Sequence, residues 1–216
     1  MNRLKQNLLD QSRFAVVAEL AAGRGYNMAP IVEFLSCHKT AGEASLPAEF
    51  CLAGIALPTN PGGFSNPDPS DVLTQLSDSD LLDELEFIPH MSCKDHNRSA
   101  LHSTLIGYKQ RGVQSVLALT GDVPMSAKGV FELEAVGLLQ MISRTNRKAL
   151  LAAKPGTLDQ VEQIFSGAAV SPFKYSEPSQ LQQYFKMEKK VACGARFLIT
   201  QVGWDWKKAL ELKLYM

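Results

Sequence analysis

Residues 113–124 read VQSVLALTGDVP, and this stretch decides the fold class. Its first part is an apolar run of strand length, which is typical of a strand buried on both faces of a parallel sheet. The run ends on Thr-Gly-Asp-Val-Pro, where Pro124 prevents the strand from continuing. The stretch therefore predicts a covered strand with a carboxylate, Asp122, just past its carboxyl end.

Similar apolar runs recur along the chain and alternate with segments that have helical features. The predicted strands are 13–20, 50–57, 85–92, 113–119, 163–170 and 195–202, and the predicted helices are 30–39, 68–83, 97–111, 131–144 and 178–193. Asp68 followed by Pro69 is a helix start signal, and Pro178 can occupy the first turn of the fifth helix. Parallel strands need a crossover of helical length, so the alternation predicts the α/β class.

Two α/β architectures compete, the open doubly wound sheet and the closed eight-fold barrel. The nucleotide-binding version of the open sheet carries GxGxxG after its first strand, but here ELAAGRGYN has no third glycine in place. Polar residues instead lie at the carboxyl end of nearly every strand: Glu19, Thr59, His90, Asp122, Ser171 and Gln201. In a barrel these positions share one face, so we expect a (β/α)8 TIM barrel with a single pocket.

Composition limits the classes of ligand and compartment. Lys and Arg total 22, and Asp and Glu total 22, so the 216-residue chain lacks the basic excess of a nucleic-acid or anionic-membrane binder. It has no signal-peptide-like segment and no apolar stretch of membrane-spanning length. Its four cysteines form no CxxC pair. We expect a cytoplasmic protein that binds small molecules or other proteins.

Two carboxylates are candidate functional groups. Asp122 lies too far from the helix predicted at 131 to cap it. Glu19 lies inside an apolar run, so it should protrude into a polar cavity or hold a proton, and either environment suits a general acid. The alternative for Glu19 is a structural ion pair with Arg24 or a lysine.

Other motifs carry weaker signals. The spacing of His90, Cys93, His96 and His102 does not support a metal site, so none is predicted. TNPGGF (59–64) fits a turn as well as a phosphate-binding loop. Lys190 closes the fifth helix, where a cation is favourable, although a lysine there can also reach a ligand phosphate.

Together the motifs resemble the flavin-dependent methylenetetrahydrofolate reductases. The resemblance runs in order through ELAAG (19–23), ALPTNPGG (56–63), FIPHMSCKDHNR (87–98), LALTGDVP (117–124), GAAVSPF (167–173) and EKKVACGARFLITQVGWD (188–205). It implies a barrel that holds FAD at the carboxyl ends of its strands and reduces 5,10-methylenetetrahydrofolate to 5-methyltetrahydrofolate. The electron donor would be NAD(P)H or a partner subunit, and an oligomer is expected.

The resemblance also implies residue roles. Glu19 matches the acid that assists protonation at folate N10, Asp122 the carboxylate near flavin and pterin, and Gln201 the glutamine that meets folate or nicotinamide. Positions that contact FAD are matched by Thr59, His90, Thr120, Gly121, Asp122 and Lys190. Thr120 stands where many members carry an arginine.

Six βα units are fewer than the eight of a complete barrel, and the chain reaches Met216 inside the sixth helical segment. We therefore expect residues 1–216 to form a partial catalytic domain that lacks the last two units. Two alternatives to the reductase are a non-catalytic subunit that binds flavin or a partner, and a folate-dependent methyltransferase barrel.

Overall fold

The computed structural model describes residues 2–21, 27–41, 46–76, 85–154, 156–158 and 161–216. Within them, six strands alternate with helices. The strands are β1 (Phe14–Glu19), β2 (Phe50–Leu57), β3 (Phe87–Ser92), β4 (Ser115–Leu119), β5 (Phe165–Val170) and β6 (Phe197–Thr200). The helices are α1 (Arg3–Leu9), α2 (Ala29–Ala41), α3 (Pro69–Leu76), α4 (Arg98–Gln110), α5 (Ala135–Ala152), α6 (Glu177–Ala192) and α7 (Trp206–Tyr215).

All neighbouring strands pair in parallel, and their spatial order follows the chain, β1-β2-β3-β4-β5-β6. This is the order of a (β/α)8 barrel. In a doubly wound dinucleotide-binding sheet, the spatial order of the strands reverses after the first strands. The predicted incomplete barrel of six βα units is therefore confirmed.

The two faces of the sheet bury different clusters. The outer cluster joins strand residues such as Val116 and Ala168 to helix residues such as Leu138. The inner cluster is built on Ala53, Ile88 and Leu117, with half-buried side chains from β1, β5 and β6 packed against it. The sheet curls around this inner cluster.

The amino-terminal half of the interior is filled by large side chains. The rings of Phe165 and Phe197 stack with centroids 5.2 Å apart. Gly167 is required beneath them, because a Cβ there would collide with the Phe197 ring. Leu4 of α1 is 1% exposed within the same cluster, so α1 closes this end of the interior.

The helices differ from prediction in three respects. The helix expected at 131–144 spans Ala135–Ala152, so it both begins and ends later than predicted. It begins later because Phe131 lies beneath Lys94, whose Nζ is 3.9 Å from the ring centroid, and the N–H of Val130 donates to the carbonyl of Lys94. Helix α1 was not predicted. Of the helix predicted at 68–83, residues 77–84 lie outside the described part of the chain.

Candidate functional site at the carboxyl edge of the sheet

The parallel sheet brings the predicted polar residues to one edge. Glu19 is the last residue of β1, and Gln201 directly follows β6. Thr59 and Asp122 lie in the loops after β2 and β4, and His90 lies in the carboxyl half of β3. Because the carboxyl ends of parallel strands share one edge, the five residues lie along the same side of the sheet.

Strand alternation places Glu19 and Gln201 on the interior face. Val17 and Ile199 pack in the inner cluster, while Ala18 and Leu198 pack against the outer one. Successive side chains point to opposite faces, so the residues two positions beyond Val17 and Ile199 extend from the inner face. Both side chains are exposed. Glu19 therefore faces open space, and its alternative partner Arg24 lies outside the described residues.

His90 combines burial with an unsatisfied ring nitrogen. It lies two residues past Ile88 of the inner cluster, on the same face of β3, and is 6% exposed. Burial lowers the pKa of the imidazole from 6.5 to about 4, so the ring is neutral at neutral pH. Nε2 has no hydrogen-bond partner among the described residues. The carbonyl of His90 accepts a hydrogen bond of 2.7 Å from the Thr59 hydroxyl, which ties the end of β2 to β3.

The loops after β2 and β4 are joined at Asp122. The N–H of Gly62 donates to Oδ2 of Asp122 over 3.0 Å. One residue further, the N–H of Met125 donates to the carbonyl of Gly63 over 2.9 Å. The Asp122 side chain is otherwise exposed. A carboxylate oxygen is thus held at the edge of the sheet by a backbone donor.

Thr120 and Gly121 have clear structural roles in the same loop. The Thr120 hydroxyl accepts the N–H of Ala135 at 3.3 Å, on the outer side where α5 begins. Gly121 has φ of 82°, and a Cβ there would collide with the Ser92 hydroxyl. Only glycine fits this position without displacing β3. The predicted contact of both residues with FAD stays a prediction.

Lys190 is held by the sheet. It lies in the last turn of α6, and its Nζ donates to the carbonyl of Ala169 over 2.6 Å. Burial lowers the pKa of this half-buried amine, and the charge of Lys186 lowers it further. The predicted contact with a ligand phosphate is not tested by this geometry.

Cavities lined by described residues lie on two sides of the sheet. One of about 520 Å³ lies beside the start of α3 and is lined by Met28, Asn66 and Asp71 among others. The other, of about 500 Å³, lies on the outer side between α4 and α5 and is lined by none of the predicted site residues.

A metal cluster and a membrane-crossing helix each place requirements on the described residues. No three His, Cys, Asp or Glu side chains among those residues lie close enough to share a metal ion. Among the described helices, none has the length and apolarity needed to cross a bilayer.

The contact of Gly62 with Asp122 is not predicted by the sequence. TNPGGF fits a turn or a phosphate-binding loop, whereas the structure puts its backbone against Asp122. The available signal was the pair of adjacent glycines, which permits positive φ at both positions, 66° and 77°. What those glycines contact depends on the β4 loop, about 60 residues away in the chain.

Comparison with known proteins identifies the family of the chain. The family model described as methylenetetrahydrofolate reductase matches residues 71–213, more than half of the chain. A Salmonella typhimurium (strain LT2) protein named 5,10-methylenetetrahydrofolate reductase is 27% identical over 130 residues. The aligned part is 60% of this chain and 38% of the relative, so the chain spans well under two thirds of that protein. The chain belongs to the methylenetetrahydrofolate reductase family.

Proposed function

We propose that this chain carries the folate-reducing chemistry of its family, the reduction of 5,10-methylenetetrahydrofolate to 5-methyltetrahydrofolate. One observation carries the proposal. Two carboxylates and a neutral imidazole lie along one edge of a barrel-type sheet, namely Glu19, Asp122 and His90. That edge is where barrel enzymes place their active sites. Family membership supports the reaction class.

The residues present fit FAD as the cofactor. The buried Nε2 of His90 lacks a partner, which is costly unless a ligand group supplies one. Thr120 can still donate its hydroxyl proton, and the Lys190 ammonium has two protons beyond the one given to Ala169. The residues proposed to hold FAD are Thr59, His90, Thr120, Gly121, Asp122 and Lys190.

FAD, when bound, would supply the hydride that reduces the folate. The protein's own contribution is acid–base chemistry and orientation. Glu19 would give a proton to folate N10, so that the five-membered ring opens to an iminium. Its place on the interior face, past the apolar side chains of β1, suits this role.

Asp122 would orient the pterin, and Gln201 would orient the folate or the nicotinamide. A carboxylate accepts hydrogen bonds from the pterin N–H donors, and Asp122 has one oxygen not engaged by Gly62. The Gln201 amide can both donate and accept, and it extends from the same interior face as Glu19. NAD(P)H or a partner subunit would supply electrons, and we expect an oligomer located in the cytoplasm.

The proposal is tested by anaerobic reoxidation. The protein is purified in the presence of FAD, reduced with dithionite and mixed with 5,10-methylenetetrahydrofolate, while flavin absorbance near 450 nm is followed. Return of the oxidised flavin band together with formation of 5-methyltetrahydrofolate supports the reaction. A bound flavin that stays reduced would favour a non-catalytic flavin-binding subunit. A protein without flavin that still uses the folate would favour a methyltransferase.

A further inference from the structure

The loop after β2, residues 58–66, is held in shape by hydrogen bonds within the loop. Asn60 has left-handed backbone angles, with φ of 44°. Its side-chain oxygen accepts the N–H of Asn66 at 2.9 Å, and its carbonyl accepts the N–H of Gly63 at 3.0 Å. Positions 60, 62 and 63 all lie at positive φ, where side chains other than Asn or Gly are strained. The loop is therefore pre-organised by its own hydrogen bonds.

The folded loop meets the β4 loop at two adjacent points. Gly62 donates its N–H to Asp122, and the carbonyl of Gly63 accepts the N–H of Met125. Between these bonds, a Cβ at Gly63 would collide with the carbonyl oxygen of Val123. Gly63 is buried, so no solvent gap separates the two backbones. The absence of a side chain at position 63 sets how closely the loops approach.

We propose that Gly62 and Gly63 form a positioning element for Asp122. Gly63 allows the approach, and the Gly62 N–H then fixes Oδ2 of the carboxylate. Among the described residues Oδ1 has no partner, so Oδ1 is the oxygen left to accept a hydrogen bond from an N–H donor of a bound heterocycle. A hydrogen bond to a charged carboxylate is stronger than one between neutral groups, so losing it frees the side chain to rotate. This inference rests on the proposed function for the identity of the ligand, but the loop contact stands without it.

Gly63→Ala tests the element, with Gly112→Ala as its matched control. Both glycines have nearly the same φ, 77° and 76°, so both substitutions introduce similar backbone strain. A Cβ at Gly112 meets nothing within 4 Å, and Gly112 follows α4, away from the carboxyl edge. We expect Gly63→Ala to speed hydrogen exchange of the Gly62 amide by tenfold or more, and Gly112→Ala to leave that rate unchanged.

A double-mutant cycle separates positioning from general loop damage. The affinity for tetrahydrofolate of the FAD-loaded protein is measured in Gly63→Ala, in Asp122→Asn and in the double variant. If Gly63 acts through Asp122, each single change weakens binding about tenfold and the double variant is little weaker than either. Additive losses, or a Gly63→Ala protein that binds like Gly112→Ala, would overturn the proposal.

The two proposals fail in distinguishable ways. If wild-type protein binds neither FAD nor tetrahydrofolate, the proposed function fails, while exchange at the Gly62 amide still reports the contact with Asp122. Should Gly63→Ala not fold, Asp122→Ala removes the acceptor without touching the loop backbone. Exchange at Gly62 as slow in Asp122→Ala as in wild type would show that Asp122 and this loop are not coupled.

Discussion

Glu19 and His90 lie on the same inner face and in opposite environments. The carboxyl of Glu19 is exposed, while His90 is 6% exposed and its ring nitrogen Nε2 lacks a partner among the described residues. Burial disfavours the charged form of an imidazole. The two side chains therefore suit different tasks: Glu19 can exchange protons with a bound ligand, and His90 can contact a cofactor as a neutral group.

Replacing Glu19 by Gln should separate the two half-reactions. Glu19→Gln removes the transferable proton and keeps the size of the side chain. We expect flavin binding and flavin reduction to be retained, and transfer to the folate to fall about 100-fold, as is usual when a general acid is lost. Stopped-flow absorbance measures both steps. The melting temperature should barely move because the side chain is exposed; a large loss of stability with an unchanged folate step would contradict the assignment.

His90 should make the stability of the fold depend on pH. Its folded pKa of about 4 lies below the unfolded value of 6.5, so the unfolded state binds the extra proton between these values. The free energy of unfolding should then fall as pH drops from about 6.5 to 4, by at most about 3 kcal/mol. Urea unfolding as a function of pH measures this. The dependence of the free energy of unfolding on pH should weaken in His90→Asn. It should persist in His102→Asn, which changes an exposed histidine.

The positions of the candidate site residues could be predicted from the sequence, but most of their hydrogen-bond partners could not. Alternation along a strand and the shared carboxyl edge place Glu19 and His90 without any knowledge of neighbours. The partners of Thr120 and Lys190, the N–H of Ala135 and the carbonyl of Ala169, depend on how α5 and α6 pack on the sheet. No local pattern encodes that packing.

Among the helices, α1 is the one that the local sequence pattern does not predict. It has only seven residues, too few for a clear apolar period. Its position is fixed by tertiary contacts: the Asn2 amide donates to the Ser115 hydroxyl over 2.8 Å, and Leu4 packs against Ile88 and Leu117. The helix therefore belongs to the inner core and not to the outer layer of helices.

Leu4→Ala should destabilise the protein by about 2–5 kcal/mol, the usual cost of a cavity in a core. Leu4 is 1% exposed, and its loss leaves the amino-terminal end of the interior unfilled. Leu9→Ala in the same helix is the control, since Leu9 is 71% exposed and should cost under about 0.5 kcal/mol. Chemical denaturation compares the two. Equal effects would show that α1 does not close the interior.

In the whole molecule, the described sheet ends on two strands that each pair on one side only. Within the described residues, β1 pairs only with β2 and β6 only with β5. Near β6, Val202 and Trp204 are 86% and 94% exposed. Unpaired strand edges next to apolar side chains favour pairing with other chains. The alternation of strands and helices predicted this architecture from sequence, because each βα unit repeats the same local pattern.

Sedimentation velocity should therefore show association of residues 1–216 that grows with protein concentration. A lysine on the edge strand opposes such pairing, so Thr200→Lys should shift the population toward monomer. Ser103→Lys adds the same charge on an exposed position of α4 and should not. A wild-type chain that sediments as a single monomer at all concentrations would contradict the expectation.

We expect the carboxyl edge of the six-stranded sheet to bind the flavin. Hydrogen-exchange mass spectrometry with and without FAD is the sharpest test, because it locates binding along the whole chain. Binding at this edge should slow exchange in the segments 57–66, 88–94 and 119–126, which adjoin Thr59, His90 and Asp122. No change with FAD, or protection confined to the outer cavity between α4 and α5, would contradict it.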